Sequence, residues 1–194
     1  MASSLIKRFN KNKGYLRNTG YLPRDEKYEL KLMLLDGKVI KVKRGLYRLA
    51  DAPSAHQEPE VANIVPDGVF CMYTAWAHYE LTTHIPSEYH VAMPKSSRIK
   101  LPEYPPIKLY YWNVPTFELG VTKINTNGDR IRMYDMERSI CDAVKFRNKV
   151  GNEVLSEIMK NYIRKKDKNI DKLFKYASSL RISKTLNQYL QVML

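Results

Sequence analysis

The chain has 194 residues, of which 44% are hydrophobic and 27% charged, and these ordinary proportions exclude a long disordered polypeptide. Its formal net charge of +13 favours a polyanionic partner, while its two cysteines, which form no CxxC pair, argue against a disulfide framework or a zinc site. The charge is +9 over residues 1–49, −4 over residues 50–142 and +8 over residues 143–194, so two basic ends flank a mildly acidic middle.

The first fifty residues carry the pattern of a small helical module. Helices are predicted over residues 3–10 and 24–35, and the ambiguous segment 15–22 allows one short helical turn between them. In the second helix Leu30, Met33 and Leu34 share one face, as the buried side of a helix requires.

Two short strands follow this helix, over residues 38–42 and 46–49. They flank the basic turn Lys43-Arg44-Gly45, in which glycine can adopt a positive φ. The order helix, short helix, helix, hairpin predicts a winged helix-turn-helix domain over residues 1–50.

The remainder divides into a predicted linker over residues 51–66, rich in proline, serine and acids, and a second domain over residues 67–194. The pattern predicts an α+β fold that ends in several helices. Its predicted elements are a helix over 70–82, strands over 88–93, 107–112, 119–124 and 130–134, a hairpin turn at 127–129, a helix over 136–147 and three further helical stripes.

The predicted winged helix supplies the candidate DNA contacts. A recognition helix presents its outward residues to the major groove, and a wing reaches the adjacent backbone. Those residue types donate hydrogen bonds to guanine acceptors or to phosphates. The candidates are Arg24, Lys27, Tyr28 and Lys31 on the helix and Lys41, Lys43 and Arg44 on the wing, with added phosphate contacts from Lys7, Arg8, Lys11, Lys13 and Arg17.

Other candidate sites are weaker. Cys71, His78, His84 and His90 span a predicted change of structure type, so their spacing predicts no metal site and no cofactor. Asp135 and Glu137 fit a helix cap and first turn, and Arg138 with Asp142 fits a surface ion pair, so no catalytic residue is expected. The basic cluster Lys145, Arg147 and Lys149 is either an acidic-partner surface or a solvated helix end.

No run of 18 apolar residues occurs, and no apolar segment follows Lys7 and Arg8. We therefore expect a cytoplasmic protein without membrane contact.

Several stretches resemble the AbiEi antitoxins of abortive-infection (type IV) toxin–antitoxin systems. They are the wing GKVIKVKRGLYRL over residues 37–49, PDGVFCMYTAWAHYELTTHIP over 66–86 and RMYDMERSICDAVKFRNKVG over 132–151. The resemblance extends over nearly the whole chain, including the final helices.

The resemblance implies a transcriptional autorepressor that binds inverted repeats in double-stranded promoter DNA through its N-terminal domain, with cooperative self-association. It also implies that the C-terminal domain counteracts a nucleotidyltransferase-like toxin, without a stable complex being required. The implied DNA contacts are Lys27, Lys31, Lys43, Arg44 and Arg48, and Lys145, Arg147 and Lys149 are the candidate antitoxin surface. The alternative is a basic adaptor that binds an acidic protein partner and no DNA.

Overall fold

The computed structural model describes residues 3–18, 20–52, 57–126 and 129–193, and it shows an α+β protein. The chain forms two compact units. Unit 1 comprises Met1–Pro66 with Lys100–Glu103, and unit 2 comprises Asp67–Ile99 with Tyr104–Leu194.

Unit 1 is built from helices around a three-stranded antiparallel sheet of order β1-β3-β2. Its elements are α1 (Ser4–Lys11), β1 (Tyr15–Arg17), α2 (Arg24–Leu35), β2 (Val39–Lys43), β3 (Leu46–Leu49) and α3 (Glu58–Ile64). Leu5 and Phe9 of α1 pack with Leu30 and Met33 of α2 in one buried cluster. The predicted helices and hairpin are therefore present, and Leu30 and Met33 lie on the predicted inner face.

The short helical turn predicted over residues 15–22 is wrong. Tyr15–Arg17 instead form β1, which pairs with β3 in the register Leu16 to Tyr47. Among residues 18 and 20–23, which the structure also describes, none is helical. Leu16 is buried, so a strand that joins the sheet gives this segment a core contact that an isolated turn would lack.

The predicted linker over residues 51–66 is also wrong in its second half, because α3 occupies Glu58–Ile64. Pro59 lies in the first turn of this helix, where a missing N–H costs nothing. Val61, Ile64 and Val65 are buried, so this segment belongs to the packed part of unit 1. Pro53 and Ser54, on which the prediction also rested, lie outside the described residues.

Unit 2 contains a mixed five-stranded sheet of order β6-β5-β4-β8-β7, in which β4 pairs parallel with β8, and β5 with β6. Its strands are β4 (Val69–Phe70), β5 (Tyr89–Pro94), β6 (Ile107–Trp112), β7 (Val121–Thr126) and β8 (Asp129–Tyr134). The four strands predicted in this region are thus present. The predicted turn residues Asn127 and Gly128 lie outside the described part.

The helices of unit 2 are α4 (Met72–His78), α5 (Val114–Glu118), α6 (Met136–Lys145), α7 (Arg147–Val150), α8 (Asn152–Arg164), α9 (Ile170–Ser179) and α10 (Ser183–Met193). The predicted helix over 70–82 is shorter than expected, because residues 69 and 70 form β4. The centre of the core is α6, whose residues Met136–Val144 are all buried. The Trp76 indole of α4 donates to the Ser139 carbonyl of α6 at 2.9 Å.

The expected surface ion pair of Arg138 and Asp142 is instead buried, with side-chain exposures of 0% and 1%. Arg138 Nε lies 3.0 Å from Asp142 Oδ1, and Nη1 donates to the carbonyls of Thr116 and Leu119 at 2.6 and 2.9 Å. Its guanidinium also lies over the rings of Trp112 and Tyr134. Gly120 permits this packing, since a Cβ there would come within 2.5 Å of Arg138 Cβ.

Within the described residues, no helix has the length and apolarity that crossing a membrane demands.

Candidate nucleic-acid interface

Helix α2 presents one exposed row of basic and aromatic side chains. Lys27 and Tyr28 lie three and four residues after Arg24, Lys31 lies three residues after Tyr28, and all four side chains are exposed. Tyr28 has 65% of its surface exposed, which is unusual for a ring that could have joined the core. The predicted outward face is therefore present, and it joins three cations to an aromatic ring along about two turns of helix.

The opposite side of α2 fixes this orientation. Glu26 is buried, and it accepts hydrogen bonds from the Ser4 hydroxyl at 2.7 Å and the Arg8 guanidinium at 2.6 Å. The Ser3 hydroxyl donates to Glu29 at 2.5 Å. These contacts tie α1 to α2 and direct the acidic side chains at positions 26 and 29 inward. Arg8 is therefore committed to an ion pair within unit 1.

The hairpin between β2 and β3 carries a second set of exposed cations. Lys41 and Arg44 are exposed. At the tip, Gly45 has a φ of +79°, and a Cβ there would lie 2.8 Å from the carbonyl oxygen of Asn18. The amide of Asn18 donates to the Gly45 carbonyl at 2.8 Å. The hairpin tip is thus held beside the segment that leads into α2.

Lys43 and Arg48 are partly buried, and each contacts α3 through its side chain. Lys43 Nζ donates to the Ile64 carbonyl at the end of α3, at 2.7 Å. Burial and the neighbouring Arg17 lower the pKa of Lys43. Arg48 Nε lies 3.5 Å from a Glu60 carboxylate oxygen, with 15% of the side chain exposed.

Arg17 is exposed, and its guanidinium also contacts α3 by donating to the Asn63 carbonyl at 2.7 Å. Carbonyls at the C-terminal end of α3 carry partial negative charge, which favours cations there. The contacts of Arg17, Lys43 and Arg48 all depend on α3, the helix that the sequence did not predict.

The predicted antitoxin residues lie at the end of α6 and in α7. Lys145 and Lys149 are exposed, and Lys149 Nζ lies 5.7 Å from the centre of the Phe146 ring. Arg147 is half-buried and donates to the Val144 carbonyl at 3.3 Å.

The histidines and cysteines form no cluster of three potential metal ligands in the described part of the chain. His90 is buried on β5 with Nδ1 at 2.8 Å from the Tyr110 hydroxyl, and burial lowers the pKa of His90 to about 4. Cys71 and Cys141 are both buried thiols, and burial raises the pKa of Cys141 to about 12. These side chains have the environment of core residues.

The carboxylates at the start of α6 are occupied by internal partners. Asp135 caps the helix through the Arg138 amide and also accepts from the Tyr176 hydroxyl at 3.0 Å. Glu137 accepts from the Asn169 amide at 3.0 Å, and Lys172 Nζ lies within 3.4 Å of both carboxylates. This network joins α6 to α9 and is a structural link that the spacing of Asp135 and Glu137 did not reveal.

The protein-family models contain no match to this chain, and no curated protein matches it. Among solved structures, the chain is similar to the crystal structure of the RV2827C protein from Mycobacterium tuberculosis, with a TM-score of 0.58 and 11% sequence identity. The match covers 95% of this chain and 78% of the other. At this identity the similarity establishes a shared fold.

Proposed function

We propose that this protein is a DNA-binding transcriptional autorepressor that docks unit 1 on promoter DNA as a winged helix-turn-helix variant. The observation that carries the proposal is the exposed row Arg24, Lys27, Tyr28 and Lys31 on α2, opposite a face anchored in the core. A helix of 12 residues with this surface fits the major groove, where arginine and lysine donate to guanine acceptors or phosphates.

The arrangement of the sheet supports a wing. β2 and β3 form a hairpin that follows α2, and its exposed Lys41 and Arg44 are suited to phosphate contacts. In this proposal α2 is the recognition helix and α1 packs against it, while described residues 18 and 20–23 contain no short helix before it. Lys43 and Arg48 are left out of the proposed interface, since they hold α3.

Binding of the fragment upstream of the protein's own gene tests this proposal. We expect Lys27→Glu combined with Lys31→Glu to weaken binding at least 100-fold, measured by fluorescence anisotropy at fixed salt. The matched control is Lys166→Glu combined with Lys175→Glu, which makes the same charge change at exposed positions of unit 2. Equal losses in both double variants would mean that net charge, and not α2, drives binding.

The salt dependence of binding gives an independent measure of the same interface. Each phosphate contact contributes about 0.9 to the slope of log K against log salt concentration for duplex DNA. We expect Arg44→Gln to lower this slope by about one, with no change in preference between the upstream fragment and a shuffled duplex. A protein that shifts neither duplex but purifies with an acidic protein would instead be an adaptor.

We further propose that unit 2 counteracts a nucleotidyltransferase-like toxin, as the resemblance to AbiEi antitoxins implies. The exposure of Lys145 and Lys149 supports a role for this surface. In cells that express the neighbouring toxin gene, we expect Lys145→Glu with Lys149→Glu to abolish protection, while Lys27→Glu with Lys31→Glu retains it. Protection by both variants would remove this surface from the proposal.

A further inference from the structure

A cavity of about 310 Å³ lies in unit 2, beside helices α7 and α10. It is lined by Arg147 of α7 and by Thr185, Gln188 and Tyr189 of α10. The four side chains are a guanidinium, two hydroxyls and an amide, each of which can donate a hydrogen bond. The described lining residues include no carboxylate, and a cavity with these donors suits an anionic ligand.

The surroundings strengthen the positive potential of this cavity. Neither α7 nor α10 contains an aspartate or a glutamate. Lys145, Lys149 and Lys184 lie close in sequence to the lining residues and are exposed. A phosphate group in the cavity would therefore meet no acidic side chain from either lining helix.

The lining donors are available to a ligand. Arg147 is steadied by one hydrogen bond, to the Val144 carbonyl at 3.3 Å, which leaves its other N–H groups unused within the described chain. The side chains of Thr185, Gln188 and Tyr189 form no hydrogen bond with any other described residue. The Tyr189 ring packs partly against the core, so its position is fixed while part of it remains accessible.

We propose that this cavity binds the phosphate group of a small phosphate monoester. Arginine matches phosphate oxygens with paired hydrogen bonds, and the hydroxyl and amide donors can satisfy the remaining oxygens. The volume is at the lower end of the range for small-molecule sites, which suits a phosphate with one attached ring system. The Tyr189 ring supplies an apolar surface for that ring.

The test uses the full chain and adenosine 5′-monophosphate as the probe, with isothermal titration calorimetry at fixed ionic strength. We expect saturable binding of one equivalent and no measurable binding of adenosine, which lacks the phosphate. Arg147→Gln and Gln188→Glu should each weaken binding at least tenfold, which corresponds to about 1.4 kcal/mol. Gln188 is exposed, so the glutamate there adds a negative charge without disturbing the core.

Arg164→Gln is the matched control, because it makes the same arginine-to-glutamine change at an exposed position of unit 2 that does not line the cavity. We expect it to retain binding within about twofold. Adenosine binding as strong as that of the monophosphate, or equal losses in Arg164→Gln and Arg147→Gln, would overturn the proposal. DNA binding and protection from the toxin are tested with other residues, so their failure would leave this result unaffected.

Discussion

The two units of this protein use arginine in opposite ways. In unit 2, Arg138 is fully buried against two aromatic rings, with Asp142 and two carbonyls as partners. In unit 1, Arg24 and Arg44 extend from α2 and the hairpin tip and are exposed. Burial therefore separates a cation that holds the fold from cations that are free to bind a polyanion.

This difference shows why net charge alone describes the protein poorly. A buried guanidinium is compensated within the core and contributes little field at the surface, whereas exposed cations add to the surface potential. Lys43 and Arg48 lie between these extremes, since both are in unit 1 and both hold α3. The proposed interface thus contains fewer cations than the charge of the first 49 residues indicates.

The largest effect that follows from this comparison concerns Arg138. We expect Arg138→Met to destabilise unit 2 by about 3–5 kcal/mol, because it leaves the Asp142 carboxylate buried without its partner. Both tryptophans of the chain lie in unit 2, so urea unfolding followed by tryptophan fluorescence reports on this unit.

The control is Arg130→Met, which changes an exposed arginine of the same unit and should alter stability by less than about 0.5 kcal/mol. Burial raises the pKa of Asp142 to about 6, so the cost of losing Arg138 should shrink between pH 7.5 and pH 5 as the carboxyl takes up a proton. Equal costs for Arg138→Met and Arg130→Met would contradict the contrast between the two arginines.

Sequence patterns predicted the elements in which periodicity and end signals agree. α2 has its inner apolar face and Gly37 just beyond its end, and β6 has a continuous run of β-forming residues. The patterns failed where proline starts a helix, because Pro59 of α3 was taken as a sign of a linker.

The candidate DNA-binding site was predicted only where the local sequence determines which side chains are exposed. Exposure on α2 follows from helical spacing, which needs no tertiary information. The contacts of Lys43 and Arg48 depend on α3, which is distant in sequence. The burial of Arg138 and Asp142 had one local signal, since Ile140, Cys141, Ala143 and Val144 make the helix around them apolar on more than one side.

The pH dependence of stability tests the environment of His90, a second buried side chain of unit 2, and its expected effect is smaller than that of Arg138. Burial lowers the pKa of His90 to about 4, with Glu88 opposing this effect, so the folded state favours the neutral ring. Its contribution to stability is complete above pH 6.5 and is lost as the pH falls toward 4. We expect unit 2 to lose roughly 1–2 kcal/mol more between pH 7 and pH 5 than the His90→Gln variant does. Parallel pH profiles for the two proteins, measured by urea unfolding, would show that His90 titrates normally.

The smallest expected effect separates two neighbouring lysines of unit 1. Strand alternation would place Lys41 and Lys43 on one face, but the register of β2 against β3 shifts between them, so the two side chains differ in environment. We expect Lys43→Met to lower the stability of unit 1 by about 1 kcal/mol, because its hydrogen bond to the Ile64 carbonyl is lost. DNA binding by this variant should change little, whereas Lys41→Met should weaken DNA binding several-fold without a change in stability.

Unit 1 contains no tryptophan, so its stability is measured by hydrogen exchange of the sheet amides, and DNA binding is measured by anisotropy. If instead Lys43→Met reduces DNA binding as much as Lys41→Met, Lys43 must leave α3 to reach the duplex, and the division between cations that hold the fold and cations that bind DNA would fail inside unit 1 itself.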